Sequence, residues 1–199
     1  ENSNGELIVS PEFTGNGDIR KSVEIDLSDK SEDEIARDVI SAYIDGNKVI
    51  RVKGEKEKLK IARDKSKIFL NLEVTQKRDE MLVFEDLLDM KSIDLKKFLK
   101  RMDNNLKEMF SILEKISDEK SAEEGINEIR EIDKDINKCY FLIWRFMNLG
   151  INNPSIQSTM EINSREFVNL FWIAYNIEHI GDEIKNLPAD DELYKDETL

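Results

Sequence analysis

Two pairs of oxygen-bearing side chains stand at helical spacing in the last third of the sequence. Asp133 and Asn137 lie four residues apart, and so do Glu178 and Asp182. Residues at i and i+4 share one face of a helix, so two carboxylates there repel by roughly 0.2–0.5 kcal/mol unless something positive sits between them. A hard or borderline cation supplies that charge, because oxygen donors suit it. Glu131 and Asp135 repeat the spacing. The chain carries 43 acidic residues, and roughly nine such acid pairs are expected by chance alone. A solvated acidic face is therefore the rival of a metal site. Position adds to spacing: Asp133, Asn137 and Glu178 each follow an apolar residue (Ile132, Ile136, Ile177), at the edge of an apolar stripe where facing helices meet. Gly181 stands between Glu178 and Asp182 in an otherwise unbroken helix, at a cost of about 1 kcal/mol against alanine. A close backbone approach, a bound ion or simple helix crowding would each account for it.

Other chemistry is thinly represented. His179 is the one histidine, so a histidine-based metal cluster cannot form, and no G-x-S-x-G, P-loop or G-x-G-x-x-G pattern occurs. A non-enzymatic protein is expected. Cys139 is the one cysteine. It allows no intrachain disulfide, fits a reducing cytoplasm, and reads as packing beside Tyr140 and Phe141. The net charge of -13 repels nucleic acid and anionic membrane. Residues 48–67 run the other way, with nine Lys/Arg against three acids. Solvation of a helix that buries Leu59, Ile61 and Ala62 explains them, and docking of an acidic partner, a membrane surface or nucleic acid is the alternative. No apolar run of about 18 residues is present to span a bilayer, and no signal-peptide pattern leads the chain. A first residue of Glu1 rather than Met leads us to expect a start inside a longer protein.

The elements that must position these residues divide the chain. Residues 5–10 and 21–27 read as strands, the second with Val23, Ile25 and Leu27 on one face. Ser31 and Glu34 form a capping-box signature for a helix to about Asp45, burying Ile35, Val39, Ile40 and Tyr43. Strand 48–53, a basic helix 55–68 and a strand pair at 69–75 and 80–85 complete a small α+β module over 20–90. From 91 to 188 the pattern is helical. Leu95, Leu99, Met102, Leu106, Met109, Leu113 and Ile116 form a heptad seam. Ser121 and Glu124 suggest a second capping box, opening a helix to about Leu149 with Ile129, Ile132, Ile136, Tyr140, Ile143 and Met147 inward. Pro154 is expected in the loop beyond Gly150. A third helix starts near Asn163 and is expected to bury Phe167, Leu170, Ile173, Ile177, Ile180, Ile184 and Leu187. The fold class is thus an α+β module followed by an antiparallel three-helix bundle, with an acidic tail over 189–199.

At these residues the sequence resembles a known family. Segment 176–186, N-I-E-H-I-G-D-E-I-K-N, resembles the PhoU-family signature N-I-E-R-I-G-D-x-x-x-N. Segment 133–137, D-K-D-I-N, resembles that family's companion motif D-K-x-V-D/N on the preceding helix, and C-Y-F-L-I-W-R (139–145) resembles a stretch of archaeal members. Upstream, 42–52 is similar to the A-Y-x-x-G-x-x-x-I-x-I segment of archaeal members, and 4–11 to the closing strand of a SpoVT/AbrB-type DNA-binding domain. Residues 1–19 are then the tail of such a domain, otherwise absent from this chain. The resemblance implies a cytoplasmic regulator of phosphate uptake or phosphate signalling, acting by contact with a transporter ATPase or a signalling protein. Residues Asp133, Asn137, Glu178 and Asp182 would be ligands to iron or zinc, with His179, Gly181 and Asn186 on the same binding face. Asn137 replaces a carboxylate and His179 an arginine. One three-helix repeat is evident where two are common; the resemblance leaves the second missing, supplied by a dimer mate, or lying beyond Leu199, and a homo-oligomer is expected. A transcription-regulator fragment, touching DNA only through the missing domain, and a structural homodimerisation bundle are the alternative functions.

Overall fold

Val23 and Ile25 alternate with polar neighbours, and the chain there forms strand β1 (Ser22–Asp26). Ser31 then caps helix α1 (Glu32–Ile44) through the expected reciprocal box, with Ser31 N donating to Glu34 Oε2 at 2.8 Å. The helix buries Ile35, Val39, Ala42, Tyr43 and Ile44. Gly46 follows at φ +81°, a left-handed conformation that favours glycine, and a Cβ there would strike Leu149. Strand β2 (Val49–Lys53) pairs parallel with β1, which is possible because α1 supplies the crossover. Helix α2 (Lys56–Ser66) leads to the hairpin of β3 (Leu72–Arg78) and β4 (Met81–Asp86). The sheet order is β1-β2-β4-β3, with β4 antiparallel to both neighbours. Leu27, Ile35, Val39, Ile50, Val52, Ala62 and Phe84 make one core with α1 and α2.

These coordinates belong to a computed structural model that describes residues 21–116 and 119–187. The strand expected at 5–10, the domain tail expected over 1–19 and the acidic tail over 189–199 lie outside the described residues.

Beyond a 3-10 turn at Met90–Ser92, Asp94 caps helix α3 (Leu95–Leu113) by accepting from Lys96 N and Lys97 N at 3.0 and 3.3 Å. Helix α4 (Glu119–Gly150), short helix α5 (Pro154–Met160) and helix α6 (Ser164–Lys185) follow. Helices α3, α4 and α6 pack on one another pairwise around Met102, Met109, Ile129, Ile136, Ile143, Phe146 and Phe167.

Three expectations need correction. Helix α4 is already formed at Glu119, so Ser121 lies inside it rather than at its start. Residues 154–160 are helical rather than loop. Asn153 accepts from Ser155 N and Ile156 N, Pro154 takes the first turn, and Ile156 anchors the helix in the core. Lastly, α6 buries Phe167, Leu170, Ala174, Gly181 and Ile184, while Ile173, Ile180 and Leu187 are exposed. The helix is apolar on two sides, and spacing alone does not say which side meets the bundle.

The two halves are joined by a buried latch. Arg145 of α4 donates to Asp86 Oδ2 at 2.8 Å, to the Asn47 carbonyl at 3.2 Å and to the Tyr43 carbonyl. Its guanidinium lies 4.7 Å from the Tyr43 ring centroid. Phe141 and Trp144, also on α4, pack into both cores.

Candidate functional site

Helices α4 and α6 bring the two acidic motifs together. Asp133 is 5% exposed, and its Oδ2 accepts from Lys185 Nζ at 2.9 Å and from Asn137 Nδ2 at 3.1 Å. Lys185 Nζ also donates to Asp182 Oδ1, so one ammonium bridges the carboxylates of both helices. Asp133 Oδ1 is buried without a hydrogen-bond partner. Glu178 is half-buried beside this group. Burial, with the Asp182 and Asp133 carboxylates adding to it, pushes its carboxyl upward. Burial likewise raises Asp133, against the pull of Lys185. Burial lowers Lys185, yet its bonds to Asp182 and Asp133 outweigh that and leave it raised. Lys185 thus bridges Asp133 and Asp182, and burial first, with repulsion among the three carboxylates adding to it, raises Asp133 and Glu178.

The other expected residues are arranged less tightly. Asn137 turns back on its own helix, donating also to the Asp133 carbonyl at 3.1 Å. Asn186 caps the end of α6. It lines, with Asn127, Arg130, Glu131, Asp133, Lys134 and Lys185, an open groove of about 490 Å³ above the cluster. His179 points away, exposed and stacked on Tyr175 at 6.0 Å. Glu131 and Asp135 part company. Asp135 accepts from Arg101 Nε at 2.6 Å and Asn105 Nδ2 at 2.8 Å, tying α3 to α4, while Glu131 pairs with Lys134. The spacing of the acids alone points neither to Lys185, which bridges Asp133 and Asp182, nor to Arg101, which holds Asp135. Lys185 carried a signal, three residues after Asp182 and on its face of α6.

Gly181 is buried where α6 meets α3 and α4. A Cβ there would find Ile136 Cδ1 at 3.5 Å and Met109 Cε at 3.8 Å, which is ordinary van der Waals contact. No close backbone approach demands the glycine. Gly181→Ala is expected to raise the unfolding free energy by about 0.5–1 kcal/mol through helix propensity, read as a higher urea midpoint; a lower midpoint would mean that the space is needed.

The side chains as placed do not make a metal cage. Among the described residues no three His, Cys, Asp or Glu side chains converge to hold an ion, and the bridging point is held by Lys185. Cys139 is buried, with burial pushing its thiol up to about 11, so it packs rather than reacts. Several cations of the basic stretch are paired or bonded, Lys53 to Glu24, Lys65 to Glu32 and Lys48 to the Leu88 carbonyl, as a solvated face requires. No helix among the described residues is long and apolar enough to cross a membrane.

Fold and site together define a helical-bundle domain whose two paired motifs face each other across one groove. Residues 99–188, a little under half of the chain, match the family model described as the PhoU domain. No curated protein and no solved structure matches the chain.

Proposed function

We propose that this chain is a non-enzymatic, cytoplasmic regulator of phosphate uptake or phosphate signalling that works by protein–protein contact. The observation that carries the proposal is the PhoU domain over 99–188. The polar groove above Asp133 and Lys185 supports it, since it offers amides and both signs of charge to a partner and no nucleophile–base pair. The test is a pull-down on the full chain from phosphate-starved and phosphate-replete cells. Co-purification of a phosphate transporter ATPase or a phosphate-signalling protein in one state more than the other is expected. Equal recovery of neither in both states would overturn the proposal.

A metal reading is favoured by one observation, the buried Asp133 Oδ1 without a partner. Iron or zinc would take that oxygen with Glu178 and Asp182, and Lys185 would have to swing out into the groove. Elemental analysis distinguishes the cases. Stoichiometric iron or zinc that is lost in Glu178→Ala/Asp182→Ala, with helicity unchanged, supports the metal. Wild-type protein with neither metal removes it and leaves the regulatory proposal standing.

A further inference from the structure

Aromatic rings collect along the flank of α6 that faces α4. Phe171 lies 5.8 Å from Trp144 and stacks on Tyr140 at 6.1 Å. Tyr175 lies 6.5 Å from Tyr140 and meets Trp172 edge to face at 5.5 Å. It also stacks with His179 at 6.0 Å. Beneath them Tyr140 is buried and Trp144 and Phe171 are partly covered, and Phe141 ties the layer to Phe69 of the α+β module at 5.5 Å. Trp172 and Tyr175 themselves are 54% and 38% exposed. Single exposed rings are ordinary. Two rings backed by a packed aromatic layer are pre-ordered, and they offer large contact area at little cost in rotamer freedom.

The charge of the same flank defines what lies on these rings. From Phe167 to Ile184, α6 has no lysine or arginine but carries Glu178, Asp182 and Glu183. Glu178 follows Tyr175 by three residues, on the same flank. Burial first, and then the Glu178 charge, push the Tyr140 hydroxyl up to about 12, which places that carboxylate beside the ring layer. Glu178 is half-buried, and among the described residues it takes part in no hydrogen bond or ion pair. The Lys185 ammonium is committed to Asp133 and Asp182. A half-buried carboxylate beside exposed ring faces is short of one cation. We propose that this flank docks an arginine-bearing segment of a partner protein, with a guanidinium lying on the Tyr175 and Trp172 rings and reaching the Glu178 carboxylate. Arginine suits the place better than lysine, because its planar head stacks on a ring while its N–H groups pair with a carboxylate. The net charge of -13 draws such a segment in. A nucleic-acid strand would also find rings to stack on, but its phosphates would meet Glu178, Asp182 and Glu183. The site rests on the regulatory reading for there being a protein partner, and adds that partner's chemistry, on rings that do not line the groove above Asp133.

The test is titration of the full chain with a blocked peptide of three Leu-Arg-Ala-Arg repeats, read by calorimetry and tryptophan fluorescence. EDTA is present, so that Glu178 is free of any metal. The same peptide with every arginine replaced by glutamate, and a single-stranded DNA of similar length, are titrated beside it. The expected result is saturable binding of the arginine peptide at one site, with a change in fluorescence, and binding of neither control. Trp172→Ala/Tyr175→Ala, and separately Glu178→Gln, are each expected to weaken that binding about tenfold or more with circular dichroism unchanged. Glu73→Gln, which removes the same charge from β3, is expected to leave it unchanged. No binding of the arginine peptide up to about 1 mM overturns the proposal. So does equal binding of the glutamate peptide, binding of the DNA in its place, or arginine-peptide binding that survives both sets of substitutions and reflects only the acidity of the chain. A failed titration beside a successful pull-down removes this site alone. A peptide that binds as expected while the pull-down recovers no phosphate protein removes the regulatory reading alone.

Discussion

Arg145→Met is expected to cost about 3–5 kcal/mol of stability, the range for removing one member of a buried ion pair. The Arg145 side chain is 3% exposed and that of Asp86 6%. Methionine fills the volume but leaves the Asp86 carboxylate in a dry site, with only the Leu88 N–H donating to its other oxygen at 2.9 Å. A second loss comes from α1, which has no basic residue in its last turn. Beside the Gly46 N–H on Tyr43 and the Asn47 donors on Ala42, two of its C-terminal carbonyls take donors from α4: Arg145 on Tyr43, and Asn148 on Ile44 at 3.4 Å. Removing the guanidinium removes both a donor and the positive charge that suits a helix C-terminus. Phe141 and Trp144 pack into both cores, so the damage spreads to the bundle as well as the sheet. Urea unfolding followed by circular dichroism measures the loss. Adding Asp86→Asn to Arg145→Met removes the stranded charge, and the double variant is expected to be more stable than Arg145→Met alone. A loss below about 1 kcal/mol would show that the latch is not what holds the halves together.

The latch also marks where sequence reasoning stops. Local signals were legible. Ser31 and Glu34 cap α1 because a capping box is written within four residues, and β1 follows from the alternation of Val23, Ile25 and Leu27; the hairpin falls near its expected place, but β3 runs Leu72–Arg78 rather than 69–75 and β4 buries Leu82, Val83 and Phe84 in succession. The facing of Asp133 toward α6 was legible too, since it sits at the edge of the Ile132–Ile136 stripe and the PhoU motifs set its partner helix. In the sequence Arg145 is no more than the last residue of the 139–145 stretch. Its partner Asp86 is 59 residues away, and nothing local distinguishes it from the other acids. Lys185 was overlooked for a related reason: an i,i+3 cation looks like surface decoration until Asp133 arrives from another helix. On α6, two apolar stripes share one helix, and the choice between Ile173–Ile180 and Leu170–Ala174 is made by packing against α3 and α4, which no window of α6 contains.

Lys185→Met should expose how the acidic motifs are balanced. At neutral pH it is expected to cost about 2 kcal/mol, below the usual figure for a buried pair because Lys185 keeps a quarter of its side-chain exposure. The pH dependence is the sharper signature. Asp133 and Glu178 both have raised carboxyl pKa values in the folded chain, so the folded state holds their protons more tightly than the unfolded state does. Between the ordinary carboxylate values and the raised ones, folded protein binds more protons, and stability falls as pH rises through that window. Without the ammonium Asp133 rises further, since Lys185 is what pulls it down. The deficit of Lys185→Met is therefore largest at neutral and alkaline pH and shrinks on acidification, as protonation removes the charge that Lys185 had balanced. Asp26, Glu34 and Asp64 have lowered values and pull the other way, so the comparison must be variant against wild type at each pH. Adding Asp133→Asn to Lys185→Met should flatten the pH response and recover most of the loss. A deficit that stays constant from pH 5 to pH 8 would mean that Lys185 acts by packing its methylene stem, and that the two acidic motifs are not electrostatically joined.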